Sequence, residues 1–412
     1  MTYGCIGQTL KHSFSKEIHE ALANYSYELK ELSPEEVPSF MEAHAFNAIN
    51  VTIPYKQAVM PFLDEISPQA SAIGAVNTIV CKGDKLYGYN TDFFGLRALI
   101  LRQKVALSGK KVLILGSGGT ARTAKAVAED LGAAEILIVS RGGKEGISYE
   151  EAKTAHSDAA FIINTTPCGM YPHLHEAPLD LNDYQALEGL VDAVYNPLRT
   201  RLVQQAQKRG IPAEGGLYML VAQAAYAVEF FLDCKIHKKR IDAVFSSLCR
   251  QKENVILSGM PGSGKSTVGR LLSKKLCKPF YDTDQLITEK TGKTPAEWIN
   301  QEGEAAFRDI ESRIIAEEIA PVTGAVIATG GGAILRQENV DCLKMNGRIF
   351  FLDRPLEALG ATSDRPLSSD REKLKARFHE RYGRYCQTAD IRIANNTSAQ
   401  VCAEKIIKEL KK

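Results

Sequence analysis

Residues 259 to 267 read GMPGSGKST and follow the apolar run VILS. Gly259, Gly264, Lys265 and Ser266 satisfy G-x-x-x-x-G-K-[ST], with Gly262 inside the loop and Thr267 directly after it. In that pattern backbone N–H groups wrap a phosphate, the lysine meets the outer phosphates and the serine hydroxyl faces Mg²⁺. A plain glycine-rich turn is the alternative, and it leaves Lys265 without a task. A second loop, GSGGTAR at 116 to 122, follows KKVLIL and places Gly116, Gly118 and Gly119 in a G-x-G-x-x-A spacing. Glycines so spaced let a dinucleotide pyrophosphate reach a helix N-terminus. About 20 residues on, an NAD-binding unit sets an acidic residue against the ribose; here the chain reads Ser140-Arg141. A cation at that point suits a 2′-phosphate and makes NADP(H) the expected cofactor, a solvated loop arginine being the other reading.

Further residues of chemical type gather around these loops. FYDTDQLI sets Asp282 and Asp284 two apart, so that on a strand end both carboxylates aim the same way, one for metal and one for a hydroxyl. A solvated strand end with a helix cap explains the same pattern. GEAAFRDIE carries Arg308 on an expected helix, VIATGGGAI ends a strand in Gly330, Gly331 and Gly332, SDRPLSSD carries Arg365 in a loop, and RYGRYCQTAD supplies Arg381. Near the N-terminus, HSFSKEIH, NAINVTIPYK, GAVNT and GYNTDFFG cluster hydroxyls and amides with one lysine, Lys56, and one carboxylate, Asp92. Such groups suit a polyhydroxy ring, and a lysine beside a carboxylate can protonate the alkoxide that hydride transfer to a ketone creates. Local roles compete: Ser13 and Ser15 as helix caps, Asn77 and Asn90 as turn residues, Asp92 as an N-cap, and Gln223 as an interhelical hydrogen-bonding residue.

The elements that must position these groups follow from the rest of the sequence. The chain has 412 residues, enough for two or three domains, and a net charge of +2, which gives no global field for nucleic acid or an anionic membrane. Small-molecule substrates are the expected partners. The nine cysteines stand singly, as reduced thiols would, and the first fifteen residues lack a secretory pattern, so a cytoplasmic location is expected. LYMLVAQAAYAVEFFL at 217 to 232 reads as a buried amphipathic helix. KVLILG, EILIVS, FIIN and LVDAVY alternate with helical patterns, which predicts parallel sheets with helices on both faces. The two glycine loops imply two nucleotide-binding units, with a polar linker near 247 to 253.

Taken together, these motifs resemble two families. From Glu253 onward the chain resembles shikimate kinase, and residues 1 to 245 resemble shikimate dehydrogenase, with NTTPCGM, VYNP and GGLYMLVAQAA as further matches. The resemblance implies an α/β protein. A two-lobed dehydrogenase (1–103 for substrate, completed by helices at about 217–246, and 104–216 as a Rossmann-like NADP domain) would precede a P-loop kinase domain of nucleoside-monophosphate-kinase type at 254–412. It implies that Ser13, Ser15, Thr52, Lys56, Asn77, Asp92, Tyr195 and Gln223 contact substrate, with Lys56 and Asp92 as the catalytic pair. Gly116, Gly118, Gly119 and Arg141 would hold the cofactor, with Thr165 and Met170 near it. In the second half Asp284, Arg308, Gly330 to Gly332 and Arg381 would grip shikimate, Asp284 also taking the hydroxyl proton. Gly259, Gly262, Gly264, Lys265, Ser266 and Thr267 would hold ATP, Ser266 and Asp282 would serve Mg²⁺, and Arg365 would reach the phosphates from a lid. Three features depart from the family patterns: Lys16 after the second serine, Ser140 before the cofactor arginine, and a short segment LDRPLEALGATSDRPL ahead of the lid. The implied function is successive reduction of 3-dehydroshikimate and phosphorylation of shikimate. Its rivals are one half turned regulatory, and an NAD-dependent quinate-type dehydrogenase.

Overall fold

Strand β1 (Tyr3–Gly7) sends Ile6 to one face of its sheet and Cys5 to the other, the period-two alternation of a strand covered on both sides. The same holds for β3 (Ala48–Val51) and β5 (Thr78–Lys82): Ile49 and Ile79 join Ile6, Met41 and Val76, whereas Ala48 and Val80 join Cys5, Tyr27, Ala227 and Phe231. The last two belong to the helix Leu217–Leu232, which returns from far along the sequence to cover that second face. The computed structural model describes residues 1–10, 14–142, 146–359 and 371–411. It divides into two compact units, Met1–Ser247 and Leu248–Lys412.

The first unit holds two sheets. With β2 (Glu28–Glu31), β4 (Glu65–Ile66) and β6 (Lys85–Tyr89), the first sheet runs β2-β1-β3-β5-β6-β4. This sheet is mixed, since β5 runs antiparallel to both β3 and β6, where an all-parallel arrangement was expected. The cause is local: Lys82 pairs with Lys85, which leaves Gly83 and Asp84 as a two-residue hairpin connection, and Gly83 supplies the positive φ of 61° that such turns require. The second sheet comprises β7 (Lys111–Leu115), β8 (Glu135–Val139), β9 (Phe161–Asn164), β10 (Gly189–Asp192) and β11 (Ala213–Glu214) in the order β11-β10-β9-β7-β8, all parallel. The sequence order reverses at β7, which makes the C-terminal ends of β7 and β9 a crevice for ligand.

In the second unit β12 (Asn254–Ser258), β13 (Phe280–Asp282), β14 (Val326–Ala328), β15 (Gly347–Asp353) and β16 (Ile391–Ala394) form one parallel sheet, β13-β14-β12-β15-β16. Val255 and Leu257 of the central strand pack with Val268 and Leu272 of the helix that follows the phosphate loop, and with Cys402 and Ile406 of the C-terminal helix. The residues expected to be a linker are instead helix: Lys238–Lys252 is one element. Ile241, Val244 and Leu248, spaced three and four apart, are buried along it, and that apolar stripe outweighs the polar composition. Among the described residues no helix is long and apolar enough to cross a membrane.

Candidate active sites

In the first unit the helices Thr91–Arg102 and Leu217–Leu232 touch at Gly95, where a Cβ would stand 2.7 Å from the Met219 carbonyl oxygen and 2.9 Å from Gln223 Cβ. That approach brings Asp92 and Gln223 to one cavity of about 320 Å³, together with Ser15, Thr52, Lys56, Asn77 and Tyr195. Lys56 Nζ donates to Asp92 Oδ2 at 2.6 Å, with both side chains mostly buried. Asn90, whose side chain accepts from the Phe93 N–H, caps the helix and leaves Asp92 in its first turn for the lysine. Nor is Ser15 a cap, because the helix starts at Ser15 and Phe14 takes the capping position without a side-chain bond. Ser13 lies outside the described residues.

A buried network fixes which way the amides face. Asn77 Oδ1 accepts from Thr91 N at 2.7 Å, Thr91 Oγ1 at 3.2 Å and Thr78 Oγ1 at 3.0 Å. Its Nδ2 therefore donates, to Gln223 Oε1 at 3.4 Å, and Gln223 in turn faces the cavity as a donor. Gln223 accepts from a residue just ahead of β5, not from a second helix, and it lines the cavity. Further polar lining residues escape the sequence reading, Asn50 and Thr91 among them. The signal for Asn50 was present, because it alternates with Thr52 along the end of β3. His19 also lines the cavity, and burial pushes its pKa down to about 3, so the ring is neutral there. Burial likewise raises the Tyr195 hydroxyl above its ordinary value.

At the crevice of the second sheet Gly116 has φ 105°, and a Cβ there would lie 2.9 Å from Thr165 Oγ1. Gly116 directly follows β7 and Thr165 directly follows β9, so the two sit side by side at the reversal point; Thr165 Oγ1 donates to the Leu115 carbonyl at 2.6 Å. Gly118 caps the helix Gly119–Asp130 and has open space where a side chain would be, the clearance a pyrophosphate needs. Arg141, just past β8, and Met170 are exposed.

In the second unit the loop glycines Gly259, Gly262 and Gly264 have φ of 149°, 80° and 85°. Lys265 is buried and donates to the loop carbonyls of Gly259 at 2.8 Å and Met260 at 3.2 Å. Asn395, just past β16, clamps the loop by donating to the Ser263 carbonyl at 2.6 Å. Thr267 stands with Ser266 in the first turn of the helix Lys265–Leu276. Asp282 does two things at once: its Oδ1 accepts from Asp284 N at 3.1 Å as the cap of the helix Thr283–Thr291, and its Oδ2 accepts from Ser266 Oγ at 2.7 Å. The cap and the metal reading are compatible, and a hydroxyl joined to a carboxylate is the oxygen donor set a hard dication takes.

The three glycines join the loop to the residues beyond it. A Cβ on Gly331 would press on Pro261 of the phosphate loop at 3.1 Å; one on Gly330 would meet Glu311 Oε1 at 2.5 Å and Asp284 Oδ1 at 2.8 Å; one on Gly332 would overlap the Arg308 guanidinium. The Tyr385 hydroxyl donates to the Gly331 carbonyl and pins the turn. Arg308 Nη1 donates to Glu311 Oε2 at 2.6 Å, and Arg381 is buried beside this pair. Glu311, fully buried, has its pKa raised by that burial, against the pull of Arg308 and with the help of the Asp284 charge. Arg365 lies outside the described residues, as do residues 360–364 of the short segment ahead of it.

Each unit is thus an α/β ligand site with a glycine loop at the C-terminal end of a parallel sheet, the first holding a lysine–carboxylate pair and the second a phosphate loop facing buried arginines. Comparison with known proteins agrees unit by unit. The family model of the shikimate dehydrogenase substrate binding domain matches residues 5–79, and that of shikimate kinase matches residues 261–411. A shikimate dehydrogenase (NADP⁺) of Clostridium perfringens is 36% identical over 269 residues, covering 60% of this chain and 98% of the relative. Among solved structures, a chorismate mutase/shikimate 5-dehydrogenase fusion protein of Clostridium acetobutylicum superposes with a TM-score of 0.57 at 35% identity, covering 60% of this chain and 96% of that one. The Thermus thermophilus shikimate 5-dehydrogenase solved with NADP(H) and shikimate superposes at 0.54 with 27% identity, covering 60% and 99%. The chain belongs to the shikimate dehydrogenase family and carries a shikimate kinase domain behind the dehydrogenase.

Proposed function

We propose that the chain performs two successive reactions, NADPH-dependent reduction of 3-dehydroshikimate to shikimate and ATP-dependent phosphorylation of shikimate to shikimate 3-phosphate, in the biosynthesis of aromatic amino acids. The observation that carries this is that each family match falls on a unit whose own chemistry is assembled: Lys56 against Asp92 in the first cavity, and Lys265 beside Ser266 and Asp282 in the second site.

In the first site Gly116, Gly118 and Gly119 would hold NADPH, with Arg141 toward its 2′-phosphate and Thr165 and Met170 alongside, and the bound cofactor would supply a hydride. As the C3 carbonyl carbon gains the hydride, its oxygen takes a proton from Lys56 Nζ, and Asp92 keeps the lysine placed and returns it to the ammonium form with a solvent proton. Ser13, Ser15, Thr52, Asn77, Tyr195 and Gln223 orient the ring. In the second site the new C3 hydroxyl gives its proton to Asp284 as its oxygen bonds to the terminal phosphorus of ATP and ADP departs. Arg308, Arg381 and the Gly330–Gly332 turn hold the ring, and Lys265, with Arg365 from the lid, offsets the phosphate charge. Ser266 and Asp282 would hold Mg²⁺, which supplies further charge neutralisation when bound. None of the described cysteines is in a disulfide, the state a reducing compartment favours.

Mass spectrometry of the products from 3-dehydroshikimate, NADPH, ATP and Mg²⁺ tests the proposal. Shikimate 3-phosphate is expected. Shikimate alone would confine activity to the first unit, and unchanged substrate would refute the reading.

A further inference from the structure

The helix Pro295–Ile314 breaks at Gly303, whose φ of 90° and ψ of 162° are not helical, so Glu304 opens the second half of the element. Arg308 stands one turn on, and a glutamate four residues ahead of an arginine on a helix face is usually a solvated pair of little consequence. Here three guanidinium groups converge on it. Glu304 Oε1 accepts from Arg308 Nη2 at 3.0 Å and lies 3.5 Å from Arg381 Nη2, while Oε2 is 3.8 Å from Arg377 Nη2. Burial works to raise the Glu304 pKa, but the hydrogen bond and charge of Arg308, with Arg377 and Arg381, prevail and hold it below the ordinary value.

The two carboxylates on these arginines are not equivalent. Glu311 is sealed at 0% side-chain exposure, whereas Glu304 is 39% exposed and reaches the cluster from its open side. The buried Nε atoms of Arg308 and Arg381 have no hydrogen-bond partner among the described residues, so the cluster has donors in reserve. Arg308 also lies flat on Gly332, in the turn that carries the proposed hydroxyl-binding residues. A displaceable carboxylate therefore sits against the same arginines that the proposed function assigns to the carboxylate of the substrate.

We propose that Glu304 is a resident counter-ion that holds the substrate carboxylate's place on Arg308 and Arg381, and that it makes the site selective by yielding only to a ligand that brings a carboxylate together with ring contacts. A simple inorganic anion would gain the arginines but none of the contacts to Asp284 and the glycine turn, and would not repay the displacement. This inference rests on the kinase reading of the second unit.

The test compares the full-length protein with Glu304→Gln, which keeps the size and one acceptor oxygen and removes the charge. In the variant the KM for shikimate in the kinase reaction is expected to fall about 5-fold, equivalent to ~1 kcal/mol. Millimolar sulfate is expected to become a competitive inhibitor against shikimate and to raise the unfolding temperature of the second unit well beyond its effect on the wild type. Dehydrogenase activity of the same preparation controls for folding. An unchanged or raised KM would mean that Glu304 instead positions the arginines for substrate, and would overturn the proposal. Equal responses of the two proteins to sulfate would overturn it as well. Should neither protein phosphorylate shikimate, the kinase reading fails, and the difference in sulfate stabilisation alone decides whether Glu304 guards the arginines.

Discussion

Gly332→Ala should damage the kinase reaction without unfolding the protein. Gly332 has φ −104°, which any residue adopts, so the glycine is there for space rather than for backbone freedom. A methyl group would stand 2.2 Å from Cζ and Nη2 of Arg308 and 2.3 Å from Nη1, well inside contact distance. The obstructed group is the far end of a long side chain, so Arg308 can swing away and the backbone need not shift. The cost to stability is overpacking plus the loss of Arg308 from the sealed Glu311, about 3 kcal/mol together, which a folded domain can carry. The cost to binding is of similar size. Arg308 would lose its place on the substrate carboxylate, and a charge-assisted hydrogen bond contributes about 1.5–3 kcal/mol, or roughly 10- to 150-fold in KM. The assay is ADP release against shikimate concentration, with ketone reduction by the same sample as control. A KM within about twofold of wild type, from a folded protein, would show that Arg308 does not hold the substrate as placed here.

Three further substitutions test the two sites and the stability of the first unit. Lys56→Ala should abolish ketone reduction, by about 10²- to 10⁴-fold for a lost general acid, and leave phosphorylation of added shikimate intact; Lys265→Ala should do the reverse, and a folded variant silent in both assays would refute two independent sites. Asp192 is fully buried among Asn164, Val194 N–H and Thr200, and burial raises its pKa from 3.8 to about 7. Because its folded-state pKa is the higher one, it stabilises the fold below pH ~4 and that contribution is lost as pH rises to about 7, a total of roughly 4 kcal/mol. Chemical denaturation of Asp192→Asn should lack this slope between pH 4 and 7, and an unchanged slope would assign it to other groups.

Both glycine loops and most of the candidate site were legible because phosphate binding is done by backbone, and backbone conformation leaves its mark in glycine spacing. The pairing of Lys56 with Asp92 is legible as chemistry but not as geometry, since the 2.6 Å contact joins the segment after β3 to the first turn of the helix Thr91–Arg102, 36 residues on. Thr91 leaves no such mark because its part is to orient Asn77, and a network of that kind has no sequence spacing of its own, whereas Asn50 is marked only by its alternation with Thr52. The first sheet was misjudged as parallel although Gly83-Asp84 is a hairpin signal, the alternation of strands and helices elsewhere having set the expectation. The continuation of the helix Lys238–Lys252 past residue 246 is hidden by its charges, its buried stripe being narrow. The break at Gly303 was equally unreadable, because one glycine in a helical stretch is ordinarily just tolerated.

The two sites would meet the same molecule with different chemistry. Among the described residues lining the first cavity the one cation is Lys56, already paired with Asp92, since His19 is neutral; the other polar groups are hydroxyls and amides such as Ser15, Thr52, Asn77 and Gln223. The second site offers Arg308 and Arg381, both buried. Neutral hydrogen bonds contribute about 0.5–1.5 kcal/mol and charged ones about 1.5–3 kcal/mol, so loss of the substrate's negative charge should be felt unequally. Shikimate methyl ester, assayed as a substrate for oxidation by the first unit and for phosphorylation by the second, separates the two. Its kcat/KM should fall by about tenfold or less in oxidation and by about 100-fold or more in phosphorylation, where two arginines lose their anion. Such a contrast follows if the first site must release shikimate and the second must capture it. Equal losses in the two reactions would refute the assignment of the carboxylate to the arginine cluster, because the ester differs from the acid at that group alone.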